Sequence, residues 1–89
     1  MTEREITGLT FPCDFPIKAI GKARDDLDAI VYSLVSRHVP DLGEGAIRTR
    51  PSKGGNYLSV TVTVQATSQE QLDAIYISLS ASEHLTMVL

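Results

Sequence analysis

Few side chains in this 89-residue sequence can do chemistry, and their spacing decides what kind. Cys13 is the only cysteine, so it can neither close an internal disulfide nor supply a Cys-x-x-Cys metal pair. No histidine stands near it in sequence to activate it, and it reads as a small packing residue or a free thiol. His38 and His84 are the only imidazoles, and their separation matches no metal-ligand motif. His38 suits a helix end, and His84 a strand start or a turn. There is no Walker loop and no Ser/His/Asp set in a recognisable context. The sequence therefore implies no metal, no cofactor and no catalysis.

Two runs could bind anions. Gly21-Lys22-Ala23-Arg24-Asp25-Asp26 joins a strand to a helix, where one glycine and two cations could hold an anion at a helix N-terminus. Asp25, Asp26 and Asp28 oppose that, and the loop of acylphosphatase-type enzymes is not matched. The second run is Lys53-Gly54-Gly55-Asn56-Tyr57-Leu58-Ser59-Val60. Its lysine, first glycine, Tyr57 and Leu58 fit the third-strand motif of RNA-recognition domains loosely. Gly55 and Val60 occupy the positions where rings should stack on bases. One tyrosine is a poor platform, because each stacked base contributes only about 1–3 kcal/mol. The plain reading of this run is a hairpin turn leading into a strand.

Composition narrows the choice further. Hydrophobic residues make up 43% and charged residues 21%, the ordinary balance of a globular chain. Eight basic residues against 11 acidic ones leave a net charge of −3, which argues against nucleic acid as a partner. No apolar run approaches the ~20 residues of a membrane span. The start, Met1-Thr2-Glu3-Arg4-Glu5, lacks the basic and apolar regions of a signal peptide. With a lone thiol, this points to a cytoplasmic, bacterial-type protein. Residues 1–10 read as a flexible tail and 11–89 as one domain.

The elements that must position these residues follow from periodicity. Phe11 to Pro16 is extended, since each proline bars the helical region to its predecessor. A first strand is expected from Phe15 to Lys22, with Phe15, Ile17 and Ala19 on one side and Pro16, Lys18 and Ile20 on the other. Asp25 to His38 carries an apolar stripe of Leu27, Ile30, Val31, Leu34, Val35 and His38 at the helical period, and Pro40 stops it. Asp41 to Gly45 is a loop, Ala46 to Arg50 a short strand, and Pro51 to Asn56 a hairpin loop with a Gly-Gly pair. Tyr57 to Ala66 alternates strictly, with Leu58, Val60, Val62, Val64 and Ala66 facing one way and Tyr57, Ser59, Thr61, Thr63 and Gln65 the other. A second helix opens at Thr67, with Thr67 and Glu70 or Ser68 and Gln71 able to form a capping box. Leu72, Ile75, Tyr76 and Leu79 form its stripe, Ser80 to Glu83 ends it, and His84 to Leu89 is a last strand. The order βαββαβ is the α+β, ferredoxin-like plan: a four-stranded antiparallel sheet, order 4-1-3-2, with both helices on one face.

Three runs carry a family resemblance: Phe11-Pro12-x-x-Phe15-x-x-Lys18-x-x-Gly21, Ser52-Lys53-Gly54-Gly55-Asn56-Tyr57-x-Ser59-Val60-Thr61, and the final Met87-Val88-Leu89. Together they resemble the YbeD family of small bacterial proteins of unknown function, over roughly Leu9 to Leu89. Gly54-Gly55 looks like one glycine more than the common form of the turn. The resemblance implies an ACT-like ferredoxin fold, similar to the regulatory domain of phosphoglycerate dehydrogenase, and a regulatory link to lipoate metabolism. It carries no catalytic residues. The residues matching its motifs, and so the candidate ligand or partner site, are Lys18, Gly21, Lys53, Gly54, Asn56, Tyr57 and Ser59. Lys18 shares the parity of the open sheet face and is expected beside the Ser59/Thr61 row, a cation among hydroxyls suited to a carboxylate or a partner's carbonyl.

Three functions compete. One is a noncatalytic, ligand-sensing regulatory module, with a small metabolite held near Gly21 to Asp26. Another is a protein-interaction module that uses the open sheet face or an edge strand. The third is a weak binder of single-stranded RNA through Tyr57 and Lys53. Lone ACT-like units commonly act by pairing, so a homodimer is among the expected assemblies.

Overall fold

The computed structural model describes residues 10–89. The expected tail, apart from Thr10, lies outside the described residues. The elements run in the order β1 (Cys13–Lys22), α1 (Leu27–Ser36), a 3₁₀ turn (Glu44–Ala46), β2 (Ile47–Pro51), β3 (Tyr57–Ala66), α2 (Gln69–Ser80) and β4 (Met87–Val88). The sheet order is β2-β3-β1-β4, with every neighbouring pair antiparallel. This is the expected ferredoxin-like sandwich.

Its spine is the pairing of β1 with β3, which runs without a break from Cys13 opposite Ala66 to Lys22 opposite Tyr57. The alternation in β3 then sorts the sheet into two faces. Ile17, Ala19, Val60, Val62, Val64 and Ala66 are buried against Leu27, Val31 and Val35 of α1 and Leu72, Ile75, Tyr76 and Leu79 of α2. Burying each such aliphatic side chain is worth about 1.5–3 kcal/mol, so this one layer between sheet and helices dominates stability. Tyr76 also donates from its hydroxyl to the Leu89 carbonyl at 3.2 Å, which ties α2 to the end of the β4 segment.

The second helix starts with the Ser68 and Gln71 alternative. The Ser68 hydroxyl accepts from the Gln71 backbone N–H at 3.1 Å. The Gln71 Oε1 reaches back to the Thr67 N–H at 2.7 Å, one residue beyond the capping residue. Its Nε2 donates to the His38 carbonyl at 2.9 Å, so one glutamine caps α2 and clamps the end of α1.

Four boundaries differ from the periodic pattern. The first strand begins two residues early, at Cys13, because β3 is long enough to pair with it. The first helix is shorter than Asp25 to His38: Arg24 and Asp26 bind each other's side chains, and Asp26 sits outside helical geometry. His38 closes a final turn instead, with Nε2 at 2.8 Å from the Ser78 hydroxyl. The second strand is Ile47–Pro51 rather than Ala46 to Arg50, since Ala46 belongs to the 3₁₀ turn. A proline is tolerated there because β2 is an edge strand. The expected last strand, His84 to Leu89, contracts to Met87–Val88. His84 and Leu85 are held in a turn by Ser82, while Thr86 and Leu89 bond to β1 on either side of the two-residue ladder.

That turn explains Gly21. It is buried, and a Cβ added there would overlap the carbonyl oxygen of His84. The glycine is needed for the close approach of two backbones. Gly21→Ala is expected to lower stability by about 1–3 kcal/mol through overpacking, or about 4–8 °C in Tm per kcal/mol. A thermal melt of the purified variant checks this, and an unchanged Tm would show that the His84 turn yields without cost.

Candidate functional site

The helices leave one sheet face uncovered, and its side chains follow from the register. β3 runs through it with Tyr57, Ser59, Thr61, Thr63 and Gln65. On one flank, β1 contributes Asp14, Pro16, Lys18, Ile20 and Lys22, with Lys18 opposite Thr61, Ile20 opposite Ser59 and Lys22 opposite Tyr57. On the other flank, β2 places Arg48 opposite the same Thr61 and Arg50 opposite the same Ser59. Met87 of β4 pairs with Ile20 and is 52% exposed. The face is therefore a lane of hydroxyls between two columns of cations. With strands about 4.8 Å apart, those columns are about 10 Å from each other.

Lys53 stands in the hairpin turn at the end of this lane. Lys18, Lys22, Arg48, Arg50 and Lys53 are all exposed, and among the described residues none has an ion pair or a side-chain hydrogen bond. Asp14, at the far end of β1, is the only acid with the parity of this face. Every other acid of the described residues lies at the start of α1, in the loop after it, on α2 or in the turn beyond α2. A net charge of −3 thus conceals a positive sheet face. Net charge alone does not describe this face, because charge acts over about a Debye length, not over the whole molecule.

The structure gathers some of the sequence-derived candidates and separates others. Lys18, Tyr57 and Ser59 share the open face. Lys53, Gly54 and Asn56 form the turn at its end: Gly55 there has φ +77, and Ser52 accepts from the Gly55 N–H through its carbonyl and from the Tyr57 N–H through its hydroxyl. The Asn56 carbonyl accepts from the Ala23 N–H at 2.9 Å, which fixes the turn against the exit of β1. Gly21 lies apart from them, buried on the helix side. Sequence reasoning put Ile20 on the same side as Lys18 and named Lys22 only as an anion ligand at the helix N-terminus, and it missed Arg48, Arg50 and Met87. The signal for the arginines was present, since counting back through the hairpin from Ser59 and Thr61 puts Arg50 and Arg48 on the same face.

A family model described as "Protein of unknown function (DUF493)" matches residues 7–89. The chain belongs to this family. Its curated relatives carry the name UPF0250, which is the YbeD family that the sequence resembles. The UPF0250 protein RSc0326 of Ralstonia nicotianae is 47% identical over 81 residues, covering 91% of this chain and 84% of that one. The UPF0250 protein NE1487 of Nitrosomonas europaea is 42% identical over the full length of both. Among solved structures, protein HP0495 of H. pylori superposes with a TM-score of 0.72 at 13% identity, covering 98% of this chain and 91% of that one. The ACT domain of the GTP pyrophosphokinase of Chlorobium tepidum superposes with a TM-score of 0.64, also at 13% identity, covering 85% and 84%. These two likenesses establish an ACT-like fold for the YbeD-family chain.

The junction of β1 and α1, the run Gly21 to Asp26 considered above for a small metabolite, is filled by its own side chains. Arg24 Nε donates to the Asp26 carboxylate at 2.6 Å, and its Nη1 lies 2.9 Å from His84 Nδ1. An arginine has no acceptor, so that imidazole nitrogen is the acceptor. An open groove of about 880 Å³ also runs between the helices, over Ile30, Leu34 and Ile77, with Arg37 beside it. Its polar lining is Ser33, Ser78, Ser82, Glu83 and His84. No helix among the described residues is long and apolar enough to cross a membrane.

The hydrogen bond from the Arg24 guanidinium holds the Asp26 carboxyl below its ordinary value of 3.8. A carboxyl lowered on folding stabilises the fold above its unfolded value, and that contribution disappears as pH falls through the folded value. In Arg24→Ala, the Asp26 titration followed by carboxyl-carbon NMR is expected to move up toward 3.8. An unmoved midpoint would assign the shift to the backbone or to His84 instead.

Proposed function

We propose that this YbeD-family chain is a noncatalytic binding module, regulatory in role, that engages an anionic partner through its open sheet face. The observation that carries this reading is the set of exposed, unpartnered cations gathered around Ser59 and Thr61, while every acid of the described residues but Asp14 lies elsewhere. Hydroxyls between guanidinium and ammonium groups suit carboxylate or phosphate oxygens. They do not suit nucleophilic catalysis, because both imidazoles are bonded on the helix side, to Ser78 and Arg24. The alternative, a metabolite bound at Gly21 to Asp26, would have to displace the Arg24–Asp26 and Arg24–His84 contacts first.

Thermal melts of the pure protein and of the double variant Arg48→Glu, Arg50→Glu separate these readings. The panel is polyglutamate, polyphosphate, free amino acids, lipoate and octanoate, the last two because of the link to lipoate metabolism that the resemblance implies. A ligand at one hundred times its Kd adds about 2.7 kcal/mol, a rise of more than about 10 °C for a domain this size. The expected result is a rise with at least one anion that the double variant abolishes. A rise kept by the variant would move the site to the β1–α1 junction, and a flat panel would remove the open face as an anion site.

A further inference from the structure

The face does more than attract negative charge, because its cations have a spacing and a chemical order. Along β2, Arg48 and Arg50 are two residues apart, about 6.8 Å at the rise of a strand. Along β1, Lys18 and Lys22 are four residues apart, about 13 Å, and Ile20 lies midway between them, extended sideways by the exposed Met87. One flank therefore reads cation, cation. The other reads cation, apolar, cation.

An extended polypeptide lying over the β3 lane sends successive side chains to alternate flanks, with the same repeat of about 6.8 Å on each. Five residues then span the distance from Lys18 to Lys22. The first, third and fifth face Lys18, the Ile20–Met87 pair and Lys22; on the other flank the second falls between Arg48 and Arg50, and the fourth falls beside Arg50 on the side of the Lys53 turn. We infer that the open face takes an extended acidic segment of a partner protein, with the order acidic-acidic-apolar-acidic-acidic. This rests on the open face being the binding site proposed above, and it adds the class and pattern of the occupant.

Two other occupants fit the face less well. Single-stranded nucleic acid would meet the cations, but among the described residues Tyr57 is the only aromatic ring on the face, and an apolar pair, Ile20 and Met87, stands beside it. A second copy docked face to face would set Arg48, Arg50, Lys18 and Lys22 against the same four charges. A copy docked through its helix side would give a head-to-tail contact, which builds a ring or a filament and not a two-fold dimer.

The test is fluorescence anisotropy with a labelled Glu-Glu-Leu-Glu-Glu peptide, whose pattern is the same in either chain direction. Controls are Glu-Glu-Ser-Glu-Glu, the all-Gln analogue and a twelve-nucleotide oligouridylate. Saturable binding of the leucine peptide is expected, at least about tenfold tighter than that of the all-Gln analogue and about tenfold weaker in Arg48→Glu, Arg50→Glu. Raising the salt should weaken it. The serine peptide should bind about threefold or more weakly than the leucine one, and Met87→Ser should erase that difference. Equal binding of the leucine and serine peptides by wild-type protein would overturn the pattern. Binding of the oligouridylate without the peptides would overturn a polypeptide occupant while leaving the anion-binding face intact. If none of the probes binds, both the inference and the face fall. A dimer that the double variant dissociates would assign the face to a second copy and likewise overturn the inference.

Discussion

The ladder between β1 and β3 is the constraint on which the rest of the molecule depends. Ten consecutive residue pairs, from Cys13 with Ala66 to Lys22 with Tyr57, fix which side chains face the helices. A slip of one residue would turn Val60, Val62 and Val64 to solvent and drive Ser59, Thr61 and Thr63 into the core. The loss would be several buried aliphatic side chains at about 1.5–3 kcal/mol each, with buried hydroxyls added. The hydrophobic layer therefore sets the register, and the register places the open face. Lys18 stands beside Thr61, and Arg48 across from it, because Ile17, Val62 and Ile47 share the row one step along.

Much of this was legible in the residues themselves. The strict alternation of Tyr57 to Ala66 marks β3 from first residue to last, since a one-sided sheet demands a period of two. The stripe Leu72, Ile75, Tyr76 and Leu79 is buried as a helical period requires. The elements that were misjudged are those whose ends depend on contacts distant in sequence. The start of α1 is settled by Arg24, Asp26 and His84, which a reading of local capping residues does not bring together. The β4 segment shortens because Ser82 holds His84 and Leu85 in a turn over Gly21, a contact spanning most of the chain. Of the candidate site, Lys18, Tyr57 and Ser59 were found by parity. Arg48 and Arg50 were missed, because their short strand has too few residues to show a period of its own.

Gly21 and the cations of the face resolve a confusion that motif reading alone invites. Residues that recur together in a family pattern need not share a role. Gly21 makes room for the His84 carbonyl, and Gly54, Gly55 and Asn56 build the turn that seats β3 against the exit of β1. These positions support the scaffold. The side chains of Lys18 and Lys53 have no ion pair or hydrogen bond, and the backbone bonds that Lys18 exchanges with Leu89 would form equally well around an uncharged side chain.

Holding like charges on one face has a cost, and the topology keeps it small. Directly opposed like charges destabilise a sheet, but Arg48 and Lys18 are never direct neighbours: the uncharged strand β3 lies between them. Two unit charges about 10 Å apart in water repel by about 0.4 kcal/mol, and a Debye length of about 8 Å screens most of that at physiological salt. The same charges act very differently once a partner excludes water from the lane, because the effective dielectric falls and attraction to an anion rises several-fold. A small fold can therefore carry these cations at almost no loss of stability in the free state and use them on binding. Asp14 sits at the other end of β1, beside Gln65, too far along the strand to neutralise Lys18 or Lys22. An arrangement serving only solubility would intersperse both signs. Here Lys18, Lys22, Arg48, Arg50 and Lys53 gather on the sheet side against one acid, Asp14, while the other acids of the described residues lie with Arg24 and Arg37 away from that face, so an approaching anion is drawn toward the hydroxyl lane before contact.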